Sequence, residues 1–196
     1  MDEPDDVDPA RAQAYLLLAA LLARPPSAEL LETVAGIRVD GTTPWGQALA
    51  RLAAAAADLA PRDAEREFNR LFIGVSRGEL MPYASFYRTG FLHDRPLIEL
   101  RLDMTRIGIA RSPEVKEPED HVAAVLEMMG GLIEGRFGAA APTRAQRTFF
   151  ERHLAPWAGR FFRDLEAARS ARFYRTVGAV GILLLDIEQS GFNLVE

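Results

Sequence analysis

Cysteine is absent from this chain of 196 residues, and its absence excludes several kinds of site. Without a thiolate, the chain can form no disulfide, no cysteine nucleophile, no zinc–thiolate centre and no cysteine-ligated iron–sulfur cluster. Lysine is nearly absent as well, since Lys116 is the only lysine among 23 basic residues. We attribute this excess of arginine to a GC-rich genome and draw no functional conclusion from it.

Excess positive charge and long apolar runs are also missing. The net charge is −5, whereas nucleic-acid-binding domains usually carry excess positive charge, so we expect no nucleic-acid partner. A mildly acidic chain is a better match for a basic peptide. The first apolar run, Tyr15 to Ala23, is far shorter than the roughly 20 residues that span a bilayer, and the residues before it are acidic where an export signal is basic. We therefore expect no stable membrane insertion and a cytoplasmic location.

The motifs of several enzyme classes cannot be found in the sequence. There is no Gly-x-x-x-x-Gly-Lys phosphate loop, no Gly-x-Gly-x-x-Gly and no His-Glu-x-x-His zinc helix. The two glycines of segment 74–78 are not followed by the Lys-Ser/Thr pair that holds a phosphate and magnesium. We therefore expect a binding protein without a cofactor, not an enzyme.

Apolar residues recur at helical spacing along most of the chain. One such stripe contains Ala64, Phe68, Leu71 and Phe72, and strand patterns are nearly absent. The spacing predicts an all-α protein, a single globular bundle of roughly eight or more helices. We expect residues 1–196 to form one domain.

Capping residues, glycine and proline predict where helices begin and end. Thr143 and Gln146 have the spacing of a capping box at a helix start, and Gly191 is expected to end the last helix. Two prolines and four charged residues make segment 112–119 a predicted exposed linker or hinge.

One dense polar cluster lies at Glu117-Pro118-Glu119-Asp120-His121. Three carboxylates and an imidazole could hold a metal ion or perform acid–base chemistry. Acidic residues and a proline are also typical of a helix start, where they complement the positive end of the helix dipole. The spacing favours the helix start, because His93 and His153 have no companion motif and His153 fits a packed core position. A metal-dependent enzyme that uses this cluster is the alternative function.

An aromatic group follows the glycines of segment 74–78. Tyr83 and Tyr87 lie near Pro82 and Phe86, where core packing does not clearly require them. Aromatic residues with a polar tip are favoured at binding surfaces. Core packing and partner binding are both compatible with this pattern.

Three groups of residues, taken together and in this order, resemble the TorD/DmsD/NarJ family, and the resemblance extends over nearly the whole chain. The groups are Glu67-Phe68-x-x-Leu71-Phe72-x-Gly74 with Pro82-Tyr83-x-Ser85-x-Tyr87, then Glu117-Pro118-x-Asp120-His121 with Leu126-Glu127-Met128, then His153-Leu154-x-Pro156-Trp157 with Phe161 and Phe173-Tyr174. Some family members have Trp at the position of Tyr83, Gly at that of Ala84 and a Gly-Pro-Gly turn at 74–76. These departures leave the identity of the client open.

The resemblance implies a cytoplasmic chaperone dedicated to a molybdenum-containing oxidoreductase. Such chaperones bind the enzyme precursor, often at its twin-arginine leader, and delay export until the cofactor is inserted. Some form domain-swapped dimers, so we expect a monomer or a homodimer, with the hinge at 112–119 permitting exchange. The site residues carried over from the family are Pro82, Tyr83, Ser85, Tyr87, Pro118, Asp120 and His121.

A binding mechanism follows from this resemblance. Asp120, with Glu117 and Glu119 nearby, would pair with the leader arginines, and an apolar groove lined by Phe72, Pro82, Tyr83 and Tyr87 would take the rest of the leader. His121 lies beside carboxylates and is expected to titrate near neutral pH, so that affinity would vary between pH 6 and 8. Two further functions stay open at this point, a nucleotide-dependent enzyme and a purely structural helical adaptor.

Overall fold

The computed structural model describes residues 7–74, 77–111 and 114–194. In these ranges the chain forms ten α-helices, one π-helical segment and no β-strand, so the predictions of an all-α fold and of eight or more helices are confirmed. None of these helices is long and apolar enough to cross a bilayer. The helices are α1 (Val7–Ala23), α2 (Ala28–Ala35), α3 (Pro44–Ala57), α4 (Pro61–Phe68) continued by the π segment Asn69–Ile73, α5 (Ala84–Thr89), α6 (Arg95–Arg106), α7 (Val122–Glu134), α8 (Thr143–His153), α9 (Ala158–Ala167) and α10 (Phe173–Leu194).

The chain divides into two units, each made of separate stretches of sequence. The first unit contains residues up to 23 and residues 82–158, and the second contains residues 24–81 and 159 onward. The predicted linker at 112–119 therefore lies inside the first unit. Its residues 114–117 are exposed, Glu119 is buried, and residues 112 and 113 lie outside the described ranges. The single domain and the hinge stay predictions.

The first unit is organised around the buried helix α7. Gly130 permits the close approach of α1, because a Cβ at this position would lie 2.9 Å from Leu16 Cγ and 3.3 Å from the Ala12 carbonyl oxygen. A hydrogen bond of 3.0 Å from Gln13 to Glu134 adds a polar contact between the same two helices. These contacts hold the C-terminal half of α7 against α1, and the N-terminus of α7 carries part of the site described below.

The second unit contains the long helix α10, whose N-terminus is capped by a residue distant in sequence. The buried carboxylate of Glu67 accepts hydrogen bonds from the backbone N–H groups of Arg172, Phe173 and Tyr174 at 2.7, 3.2 and 2.8 Å. Three otherwise unpaired donors at the helix start are thereby satisfied.

Two predicted helix boundaries are wrong. Gly191 does not end α10, which continues to Leu194, because tertiary packing extends a helix past a residue of low propensity. Thr143 and Gln146 do not form a capping box, since Pro142 precedes α8 without a side-chain cap. Gln146 instead donates to the Ala141 carbonyl oxygen at 2.8 Å and accepts from Arg11 at 3.2 Å.

Candidate functional site

The backbones of the first and second family motifs are hydrogen-bonded to each other within the first unit. The Ala84 N–H donates to the Asp120 carbonyl oxygen at 2.9 Å, and the Val122 N–H donates to the Pro82 carbonyl oxygen at 2.8 Å. The intervening residues, Tyr83 and His121, form an isolated antiparallel bridge. Two segments more than thirty residues apart in sequence thus form one structural unit, which we call the motif junction (residues 82–85 and 117–122).

Asp120 caps the short helix α5 from outside that helix. Its side chain is buried, and Oδ2 accepts a hydrogen bond from the Ser85 N–H at 2.8 Å, next to the bond that its carbonyl oxygen accepts from Ala84. The residue that precedes α5, Tyr83, provides no side-chain cap of its own. The other oxygen of Asp120, Oδ1, has no hydrogen-bond donor among the described residues. Asp120 is thus buried at the start of α5, and its pairing with a leader arginine stays a prediction.

His121 caps the next helix with its imidazole ring. Nδ1 accepts a hydrogen bond from the Ala123 N–H at 3.2 Å, so the proton of the neutral ring lies on Nε2. Burial lowers the pKa of His121 to about 4, although the charges of Glu117 and Asp120 act in the opposite direction. The expectation that His121 titrates near neutral pH is wrong, because desolvation of the ring outweighs the neighbouring carboxylates.

Glu117 is the carboxylate of this junction that is exposed to solvent. Its Oε2 accepts a hydrogen bond of 2.5 Å from the hydroxyl group of Tyr83. Burial, together with that bond and the charges of Glu117 and Asp120, raises the pKa of Tyr83, so its hydroxyl group remains a donor at neutral pH. The Tyr83 ring also contacts His121 edge to face, with centroids 5.2 Å apart.

Glu119 is already paired within the protein. It is buried and accepts two hydrogen bonds from Arg101, at 2.8 and 3.1 Å, while Arg111 lies 3.7 Å away. Burial raises the pKa of Glu119, but the bonds from Arg101 and the charge of Arg111 outweigh this effect and lower it overall. Of the three carboxylates expected to receive leader arginines, Glu117 is the one that the folded chain leaves accessible.

The same geometry argues against a metal site at this cluster. The three carboxylates bind Tyr83, Arg101 and the N-terminus of α5, so they diverge from one another. Within the described part of the chain, no group of three or more histidine or acidic side chains is placed to hold a metal ion. His153 is also a buried core residue, hydrogen-bonded to Asp103 at 2.8 Å.

The remaining predicted site residues have different surroundings. Ser85 is buried, and its hydroxyl oxygen accepts a hydrogen bond of 3.3 Å from the Asp94 N–H. The half-buried Tyr87 packs 5.8 Å from the Trp157 ring. Pro82 is buried and Pro118 is half-buried. Phe72 belongs to the second unit, where it contacts the rings of Phe68 and Tyr174 at 4.9 and 5.4 Å.

A cavity of about 280 Å³ lies beside the motif junction, and we call it the Glu117 cavity. Glu117, Glu119 and Glu127 provide acidic groups in its wall, and Arg111 and Arg136 provide basic ones. The sequence places Glu127 and Met128 in a family motif. Their position in the wall of a cavity could not be predicted, because most of the other lining residues come from α6 and from the loops that follow α6 and α7. The apolar part of the wall is formed by Met104, Ile109, Val115, Met128 and Phe137.

Comparison with known proteins identifies the family of this chain. A family model described as nitrate reductase delta subunit matches residues 40–163, which is more than half of the chain. The chain belongs to this family. The resemblance drawn from the three motifs is thereby confirmed, since the nitrate reductase delta subunit family is the TorD/NarJ family.

Several relatives within the TorD/NarJ family are named chaperone protein TorD. The protein from Aliivibrio fischeri is 30% identical over 132 residues, 62% of this chain and 60% of that protein. The protein from Photobacterium profundum is 33% identical over 55% of this chain and 54% of its own length. The protein from Aliivibrio salmonicida is 25% identical over 96% of this chain and 97% of its own length. In the first two alignments the chain thus spans little more than half of the relative.

A crystal structure from Archaeoglobus fulgidus shares the fold of this chain. It carries a provisional assignment as a redox enzyme maturation protein and superposes with a TM-score of 0.63, over 89% of this chain and 93% of that one. The sequence identity is 16%, so the likeness shows the fold alone.

Proposed function

We propose that this chain is a cytoplasmic, non-catalytic chaperone that binds the precursor of a molybdenum-containing oxidoreductase at its twin-arginine leader. Binding would delay export or assembly until the cofactor is inserted. One observation carries the proposal: the two family motifs meet at a junction that presents the exposed carboxylate of Glu117 beside a partly apolar cavity. The names of the TorD relatives support the same function.

Glu117 is suited to receive a leader arginine. Tyr83 donates to Oε2 and so orients the carboxylate, while Oε1 stays able to accept charge-assisted hydrogen bonds from a guanidinium group. Arginine is preferred over lysine at such a site because its planar group donates several bonds in a fixed geometry. Glu127 lies in the wall of the same cavity and supplies a second negative charge.

The Glu117 cavity is suited to the apolar part of a leader. Met104 and Met128 line it, and methionine side chains adapt to apolar partners of different shape. A micromolar dissociation constant requires only about 8 kcal/mol, and burial of roughly 500 Å² of apolar surface provides about 12 kcal/mol. Association and ordering remove several kcal/mol of this. The affinity is therefore moderate, as a chaperone that must release its client requires.

Asp120 retains a secondary role in this proposal. A buried carboxylate oxygen without a donor is costly, and Oδ1 of Asp120 has none among the described residues. We expect Oδ1 to gain a donor when a client binds at the motif junction. The first contact of the arginine is nevertheless with Glu117, because Asp120 is only 1% exposed.

Fluorescence anisotropy with labelled leader peptides of the molybdoenzymes encoded by the source organism tests this proposal. We expect saturable binding that weakens about tenfold in Glu117→Gln, because one charge-assisted hydrogen bond is weakened, and that also weakens when both leader arginines are replaced by lysine. Glu114→Gln is the matched control, since Glu114 is exposed in the same segment but does not line the cavity. Equal affinity for a leader and a scrambled peptide would identify a structural adaptor instead.

A further inference from the structure

A second and larger cavity lies in the first unit and has no part in the proposed function. It measures about 550 Å³ and is lined by residues of α6, α7 and α8 and of the loop between the last two. Its volume lies within the range of about 300–1,000 Å³ that is typical of small-molecule sites. Its apolar wall includes Ile107, Leu132, Phe137, Pro142 and Phe149. We call it the α8 cavity.

The charged residues of the α8 cavity give it a positive end. Asp103 is its one acidic lining residue, while Arg106, Arg144 and Arg152 are basic. Asp103 is paired with Arg106 at 2.7 Å and with Arg152 at 3.1 Å. Within the described residues the Arg144 side chain has no carboxylate partner. Two positive charges thus remain uncompensated at this cavity, in a chain whose net charge is −5.

A buried histidine adds a hydrogen-bonding group to this end. His153 Nε2 lies 2.8 Å from Asp103 Oδ2. Burial lowers the pKa of His153, and this effect exceeds the opposing effect of Asp103, so the ring is neutral at pH 7. Because the Asp103 carboxylate must receive a proton donor, Nε2 carries the hydrogen and Nδ1 is left as an acceptor. Because the neutral His153 ring carries no charge, the lining residues of the α8 cavity keep a net charge from the two arginines that Asp103 does not balance.

Phe137 separates this cavity from the Glu117 cavity, since it lines both. Its ring lies against Gly131, where a Cβ would approach within 2.5 Å of the ring carbon Cε2. The Glu117 cavity and the α8 cavity are thus neighbours, and they differ in volume and in the charge of their lining residues. A basic leader matches the acidic groups beside the smaller cavity, and it does not match the positive end of the larger one.

We propose that the α8 cavity binds a small organic anion, one with an apolar body and a single carboxylate, sulfonate or phosphate group. The apolar body contacts Phe137, Phe149 and Leu132, and the charged group pairs with Arg144 and Arg152. This site is independent of leader binding, so that either proposal can fail without the other.

Calorimetric titration of the full chain with decanoate at pH 7 and low ionic strength tests this site. We expect saturable binding of one decanoate per chain and none of decyltrimethylammonium, which has the same apolar body and the opposite charge. Arg144→Ala is expected to weaken decanoate binding about tenfold, because it removes a charge-assisted contact. Arg147→Ala is the matched control, since Arg147 is a charged residue of the same helix that does not line the cavity.

A second variant blocks the apolar space. Ala145 and Thr148 line the cavity but are exposed, so Ala145→Trp or Thr148→Trp, whichever keeps the wild-type circular dichroism spectrum, is expected to abolish decanoate binding. The proposal is overturned if decanoate does not bind, if the cation binds equally well, or if Arg144→Ala and Arg147→Ala behave alike. Displacement of decanoate by a leader peptide would also overturn it, because the cavity would then belong to the client site.

Discussion

Asp120 and His121 are adjacent in sequence, yet each side chain caps a different helix. Asp120 accepts from the start of α5 and His121 from the start of α7. An imidazole can act as an N-cap only while its accepting nitrogen is unprotonated. The stability of the first unit is therefore coupled to the protonation of His121.

His121→Asn tests this coupling, because asparagine is a good N-cap that does not titrate. With a folded pKa of about 4 against about 6.5 in the unfolded chain, the unfolded state binds more protons between these values. The free energy of unfolding therefore falls as the pH falls through this window, by up to roughly 3 kcal/mol. We expect urea denaturation to show that the free energy of unfolding falls less between pH 7.5 and pH 5 in the variant than in the wild type. An equal loss in both proteins would contradict this account.

The sequence predicted most of the residues of the motif junction but not their roles. Pro82, Tyr83, Ser85, Asp120 and His121 do meet. The role of Asp120 as a buried cap follows from α5, a helix of six residues without a capping signal of its own. Local sequence carries no information about a cap that comes from another segment.

At the scale of single elements, Glu67 decides how α10 begins. We expect Glu67→Ala to lower the free energy of unfolding by about 3 kcal/mol, because the mutation leaves three backbone donors without a partner and two of the bonds are buried. Glu65→Ala is the matched control, since Glu65 is exposed on the same helix. Chemical denaturation measures both variants, and similar effects in the two would refute the capping role.

Two glycines of α10 lead to opposite predictions. A Cβ at Gly181 would overlap the fully buried Phe162 ring, whereas nothing lies within 4 Å of a Cβ at Gly191. We expect Gly181→Ala to destabilise the protein by about 1–3 kcal/mol through overpacking. Gly191→Ala should stabilise it by about 0.5–1 kcal/mol through helix propensity. Thermal unfolding of the two variants, compared with the wild type, measures both effects, and a shift of the same sign in both would contradict the packing described.

Helix existence was predictable from apolar spacing, whereas some helix ends were not. The starts at Ser27 and Thr43 follow from local caps. The continuation of α10 past Gly191 and the bonding of Gln146 to Ala141 and Arg11 depend on tertiary contacts, which periodicity does not reveal.

At the scale of the whole molecule, the proposed function has a consequence for pH. Burial lowers the pKa of His121 to about 4, so this ring gains no proton between pH 8 and pH 6. Burial also lowers the pKa of His153. We expect leader affinity, measured by anisotropy, to be flat over this range. A change of more than about threefold would point to a titrating group elsewhere at the client site.

The central claim is that the chain recognises the precursor of a molybdoenzyme. The most direct measurement is purification of the tagged protein from its source organism, grown where molybdoenzymes are expressed, followed by mass spectrometry of the bound proteins. We predict recovery of a molybdoenzyme catalytic subunit that still carries its leader, reduced in Glu117→Gln and unchanged in Glu114→Gln. Absence of any molybdoenzyme from the wild-type sample, under conditions where the enzyme is made, would contradict the account.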